Sequence, residues 1–258
     1  MEQLEGVLIY ELAKGVAGRA TDSEHLRAVQ AQIQVTNQIY FAIFRMVADQ
    51  NGVAAEALLR TLFDSAINCI VLAKHSEKLQ DFIRNGQFTH LRLIRFTDVM
   101  PEKIKPLVAA TENDWKALFQ EFKSSEWHKL GTKDSFIEAE YEAEMYNKYF
   151  RRASSYAHAE PYITVRPKDA TWKNWCIDAS LVRWKNVTIG VYGLACNAML
   201  HMLAIVNREF KLGLDAEFEK PLALVKAFKI KHIEIIKQAF ANEDSAIRQA
   251  AQAGDKTT

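Results

Sequence analysis

Leu4, Leu8, Leu12 and Val16 recur every fourth residue at the start of the chain, and apolar positions keep that spacing almost to its end. A period near 3.6 lines up one face of a helix, whereas a half-buried strand would alternate every second residue. The pattern predicts a first helix over residues 2–18. Thr21-Asp22-Ser23-Glu24 then offers N-cap chemistry for a second helix running to about Asp49 through Leu26, Val29, Ile33, Ile39, Ile43 and Val47. Asn51-Gly52, a dipeptide tolerant of positive φ, breaks the run.

The third helix, Val53 to Lys74, carries Leu58, Leu59, Leu62, Phe63, Ile67, Ile70, Val71 and Leu72 on most of its sides. A helix with so little polar surface belongs inside a bundle, and its few polar residues then need partners. Arg60, Asp64 and Asn68 fall at i, i+4, i+8 on that helix, and Arg60 and Asp64 can pair with each other.

Downstream, Ser76–Asn85 reads as a shorter helix stopped by Asn85-Gly86, and Phe88–Val99 is mixed, with Arg92 and Arg95 on one side. Pro101 and Pro106 lead into a helix over Thr111–Phe122. Residues 123–133 read as a loop and a candidate lid, followed by a long helix from Asp134 to about His158. Pro161 ends it, and Tyr162–Thr171, with Arg166-Pro167, is irregular. Helices are predicted from Trp172 to Leu212 and from Pro221 to about Ala241.

The fold class is therefore all-α: one multi-helix bundle domain over residues 1–241, then a polar, flexible tail over 242–258. Glycine and proline together number only 15 of 258 residues, which leaves little room for turn-rich β architecture. Cys69, Cys176 and Cys196 are odd in number, widely spaced and set in apolar patterns, which predicts buried reduced thiols in a cytoplasmic protein. Val187–Val206 runs twenty residues without Asp, Glu, Lys or Arg. That is membrane length, but Asn197, His201 and the Arg208-Glu209 pair behind it favour a buried core helix, so no membrane partner is expected.

A net charge of +1 gives no global pull on nucleic acid, so any such binding needs a local patch. One exists. Between Arg151 and Lys185 seven bases (Arg151, Arg152, Arg166, Lys168, Lys173, Arg183 and Lys185) face three acids, with Tyr156, Tyr162, Trp172, Trp175 and Trp184 interleaved. Cations hold phosphates and aromatic rings stack on unpaired bases, so this region is a candidate RNA-binding surface. A packed core of tryptophans under a solvated charged face is the plainer reading. No Gly-rich phosphate loop, metal-ligand motif or Cys-x-x-Cys pair occurs, so neither a cofactor nor a metal is implied.

The stretch Tyr149–His158, Tyr-Phe-Arg-Arg-Ala-Ser-Ser-Tyr-Ala-His, concentrates the most chemistry, and the Arg60 set is its natural partner. Metal-free RNA cleavage by the 2′-hydroxyl needs a proton carrier near neutral pKa and a fixed cation for the developing charge. His158 can be that carrier; Arg152, with Arg151 in reserve, can grip phosphate oxygens, while Ser154 and Tyr156 orient the substrate. If instead the set is structural, His158 caps helix carbonyls or bonds Asp64.

Arg152 and His158 carry the Arg-x(4–6)-His spacing, which resembles the HEPN superfamily of compact helical domains. The resemblance implies a metal-independent endoribonuclease or RNA-binding protein, a homodimer that brings two motifs into one cleft, and a bacterial toxin or antiviral factor. A helix bearing Arg60, Leu62 and Asp64, followed far downstream by Ser154-x-x-x-His158, also resembles an uncharacterised family of bacterial all-helical proteins with no assigned activity. The competing expectation is a non-catalytic helical module that binds a protein or small ligand.

Overall fold

The computed structural model describes residues 2–18, 23–95, 102, 105–122, 127–142, 145–157, 165–167, 175–177 and 184–227; within them residues 2–8, 94, 95, 107, 148, 152, 155, 156, 165–167, 175–177 and 184–189 are described by backbone alone. The chain is all-α, a multi-helix domain. Helices α1 (Glu2–Ala17), α2 (Glu24–Ala48) and α3 (Gly52–Lys74) follow the apolar stripes closely. Ser23 caps α2, its side chain accepting the Leu26 N–H. Between α2 and α3 it is Gln50, at φ 58°, that takes the left-handed conformation. Asn51, at φ −90°, caps α3 by accepting the Ala54 N–H. Asn51-Gly52 is thus the start of a helix and not itself the positive-φ turn.

α3 is the axis of the bundle. Leu59, Leu62, Phe63, Ala66, Ile70 and Leu72 are all fully buried, and the helix packs against α2 and α9 (Trp184–Phe210). Where α2 meets α3, Gln32 Nε2 donates to Ser65 Oγ at 2.8 Å and Thr36 Oγ1 donates to the Gln32 carbonyl at 2.8 Å. Ser65 must then give its own proton to Thr36 Oγ1, 2.7 Å away, so both buried hydroxyls donate once and the seam is satisfied. α1 lies against α2 and α9. Within α9, Gly190–Phe210 is long and apolar enough to cross a membrane by length and composition, and 67% of that window is buried inside the domain.

Five predicted elements need correction. α4 (Leu79–Arg95), entered through a 3-10 turn at Ser76–Lys78, runs straight through Asn85-Gly86. Nothing crowds Gly86, and Phe88 stacks on Trp115 of α6 (Glu112–Phe122) at 5.3 Å; this packing outweighs glycine's helix cost of about 1 kcal/mol. Pro106 belongs to a short α5 (Lys105–Ala110). The helix predicted from Trp172 begins at Trp184; upstream, β1 (Val165–Pro167) and β2 (Trp175–Ile177) pair antiparallel with Arg166 opposite Cys176. That three-residue ribbon does not alter the class. Pro221 does not start the last helix: α10, over 215–227, is already running when it arrives. Residues 228–258, including the expected tail, lie outside the described residues.

The largest departure is the long helix expected over 134–158. α7 (Thr132–Glu138) stops at Ala139, Glu140 takes φ 58°, and the chain re-enters helix as a π-helical stretch, Met145–Phe150, followed by α8 (Arg151–Ala157). The cause is tertiary. Lys74 at the end of α3 bridges Glu138 at 3.1 Å and Glu140 at 3.4 Å, and Arg208 of α9 donates to both Glu140 oxygens at 3.1 and 2.6 Å. Tyr141 turns inward, its hydroxyl on the Ala198 carbonyl at 3.3 Å. Phe63 then meets Phe136, Tyr141 and Phe150 at 5.8, 5.9 and 6.5 Å, an aromatic hub beneath the bend.

Candidate functional site

Arg60, Asp64 and Asn68 share one face of α3, one helical turn apart, as their spacing requires. Arg60 Nε donates to Asp64 Oδ2 at 3.1 Å, and Arg60 Nη1 donates to Ser154 Oγ on α8. The guanidinium also lies 4.4 Å from the Phe150 ring centroid, a cation–π contact worth about 0.5–1 kcal/mol at such a partly exposed site. The bend after α7 makes this meeting possible. A straight helix from 134 would not fold α8 back onto α3, so the broken helix creates the site.

These residues open onto a cavity of about 140 Å³. α3 contributes Arg60, Asp64, Ile67 and Asn68 to its lining; the segment around the start of α7 contributes His128, Thr132 and Ser135. The described part of the expected lid, residues 127–133, is a fixed wall that runs into the start of α7. Trp127 is buried and its indole Nε1 donates to Asn68 Oδ1 at 3.0 Å, while Lys78 Nζ donates to the His128 carbonyl at 3.2 Å.

The same bonds settle two orientations. An indole N–H can only donate, so Asn68 must present its oxygen to Trp127, which leaves its two amide N–H donors and one lone pair of that oxygen for other partners. The Leu130 backbone N–H donates to His128 Nδ1 at 3.1 Å, which puts the imidazole proton on Nε2 in the neutral ring. Ser135 spends its proton on the Thr132 carbonyl at 2.7 Å.

Of the residues singled out from the sequence, Arg60, Asp64, Asn68 and Ser154 are therefore brought together. Arg151 is exposed at the start of α8. Arg152 and Tyr156 sit in α8 by backbone, and Lys185 in α9, with side chains outside the described set. Arg166 and Trp175 lie on β1 and β2 by backbone alone. His158, Lys168, Trp172, Lys173 and Arg183 fall outside the described residues. His128, Thr132 and Ser135 are the lining residues that sequence reasoning missed; His128, isolated in the chain, joins the cavity beside Trp127, which is anchored to α3.

A second polar group surrounds the C-terminal end of α3. His75 lies 2.8 Å from Glu138 and 3.0 Å from Glu77, beside the Lys74 and Arg208 bridges. Arg208, then Lys74, holds the Glu140 carboxyl down from 4.5 to about 2; His75, then Lys74, holds Glu138 below the usual carboxylate range. Burial alone pushes the Cys69 thiol far up, leaving it an inert core residue, and Cys196 is buried beside Tyr40 at 3.4 Å. Among the described residues, no three of His, Cys, Asp or Glu converge to hold a metal ion.

The chain belongs to DUF5677, a family of unknown function, whose model matches residues 31–166, more than half its length. No curated protein and no solved structure matches it.

Proposed function

We propose that this DUF5677 chain binds single-stranded RNA where α3 meets α8, and that it cleaves RNA as a HEPN-like, metal-independent endoribonuclease. The observation that carries the reading is the Arg60–Ser154 hydrogen bond, which joins the polar face of α3 to the helix that opens with Arg151-Arg152.

Cavity size favours a polymer over a small ligand. Pockets that enclose drug-sized molecules hold about 300–1,000 Å³. At about 140 Å³ this cavity takes one chemical group, as a site does when it reads a single unit of a strand lying over the surface. In the proposed reaction a 2′-oxygen attacks phosphorus and the P–O5′ bond breaks. His158 carries the proton, and Arg152, with Arg151 beside it, holds the phosphate oxygens. One imidazole serves poorly as both base and acid, so a homodimer supplying a second His158 completes the proposal.

The test is incubation of purified protein with mixed RNA in the presence of a chelator. Products ending in 2′,3′-cyclic phosphate, lost in Arg152→Ala and His158→Ala proteins that melt like the parent, are expected. Intact RNA with a folded dimeric protein would overturn the enzymatic reading. The second reading, a non-catalytic module with a structural cluster, is favoured by one feature: Arg60 already has both Asp64 and Ser154 as partners. On that reading Arg60→Ala lowers stability and leaves RNA affinity untouched.

A further inference from the structure

We infer that the α3 cavity is a pocket for one unpaired pyrimidine base of the bound RNA, a specificity site that rests on the RNA-binding reading above. Two independent observations point to it, one of size and one of polarity.

Size comes first. An engineered cavity of about 150 Å³ takes up one benzene, so about 140 Å³ matches a single six-membered ring and is small for a fused purine. The lining suits a ring. Ile67 brings an apolar side chain to it and His128 an aromatic ring, the residue types on which unstacked bases rest.

Polarity comes second. Arg60 has only donors, and Asn68 brings two amide N–H donors while its oxygen, already accepting from Trp127, keeps one lone pair. Among the described lining residues Asp64 contributes a carboxylate, and the hydroxyl oxygens of Thr132 and Ser135 can also accept. The described lining thus offers both donors and acceptors, and Asp64 offsets the charge of Arg60, so it suits a neutral polar ring. Uracil presents two acceptors and one donor on its pairing edge (O2, O4 and N3–H). Cytosine also presents two and one (O2, N3 and the N4 amino group). Guanine reverses the ratio, with one acceptor and two donors, and adenine offers one of each. Size selects the two pyrimidines, and the donors and acceptors of the lining can pair with either.

Two substitutions test the site while keeping its walls. Asn68→Asp still accepts the Trp127 indole N–H but replaces the amide donors with a carboxylate. His128→Asn can still accept the Leu130 N–H but removes the ring. Binding of equal-length oligouridine, oligocytidine and oligoadenosine to the full chain is measured by fluorescence anisotropy, with uridine and adenosine 5′-monophosphates titrated separately. The expected result is about tenfold tighter binding of both pyrimidine oligomers than of oligoadenosine, the scale of one lost base contact, and a preference abolished in both variants at unchanged melting temperature. RNA bound without base preference, or a preference that survives Asn68→Asp, overturns the pocket and leaves the RNA reading standing. Uridine monophosphate bound in preference to adenosine monophosphate, with no oligomer bound, keeps the pocket and removes the RNA reading. No binding by either probe removes both.

Discussion

Two polar clusters hang on the same apolar helix and were put to opposite uses. Around Lys74 at the end of α3, Glu138, Glu140, His75 and Arg208 close on one another and tie three segments of chain together. Around Arg60, halfway along, the polar groups line an open volume. The first arrangement is a fastening and the second a cleft. What separates them is space: the Lys74 cluster brings cation and anion into contact, while the groups at Arg60 leave a volume of about 140 Å³ between them.

The aromatic hub touches both clusters, so it should not tell them apart. Phe63→Ala removes a fully buried ring that meets Phe136 and Tyr141 near the bend and Phe150 beneath Arg60; a loss of about 3–5 kcal/mol is expected by urea denaturation. A loss below about 1 kcal/mol would mean that the hub is not the joint of the bundle.

Arg60→Ala should separate the regions. Its partners Asp64 and Ser154 are both partly exposed, so stability should fall by only about 1 kcal/mol, while RNA affinity drops about tenfold or more. Arg60→Lys should recover part of the stability and little of the affinity, because an ammonium lacks the planar fork. Equal recovery of both would reduce the cavity to a charge site.

The Lys74 cluster should give the stability curve an acid limb. Glu138 and Glu140 have depressed carboxyls in the fold, so unfolding takes up protons. Their contribution is whole above about 4.5 and is lost as pH falls towards about 2. Both partners of the Glu140–Arg208 bridge are well exposed, so screening limits Arg208→Ala to about 0.5–1 kcal/mol at neutral pH. In that variant the acid limb of the stability curve should flatten, with RNA binding unchanged. An unchanged acid limb would mean that the bend holds without its salt bridges.

The smallest effect should touch neither cluster. Gly86 lies within α4 with open space where a Cβ would go, so Gly86→Ala should stabilise by about 0.5–1 kcal/mol in thermal melts. Destabilisation would show that α4 is not helical at that point.

These contrasts follow what could be read from residues alone. α3 was legible because its apolar positions leave almost no polar side, and the Arg60–Asp64 bridge because four residues make one turn. The bend was hidden for a physical reason. Ala139-Glu140-Tyr141-Glu142 is good helix sequence, and only Lys74 and Arg208, 64 or more residues away from Glu138 and Glu140, pull it out of line. Gln50, and not Asn51-Gly52, carries the positive φ for a related reason: turn propensity names a neighbourhood, while capping decides which residue takes that conformation. His128 carried no local signal; its place in the lining depends on the Trp127–Asn68 bond.

The packing of α9 on α3 sets a condition for anyone who trims the gene. The segment shared with the family, residues 31–166, starts inside α2 and stops within β1, ahead of α9. A protein cut to those limits would leave the buried flank of α3 bare to water and should aggregate, so comparisons among members need the downstream helix carried along.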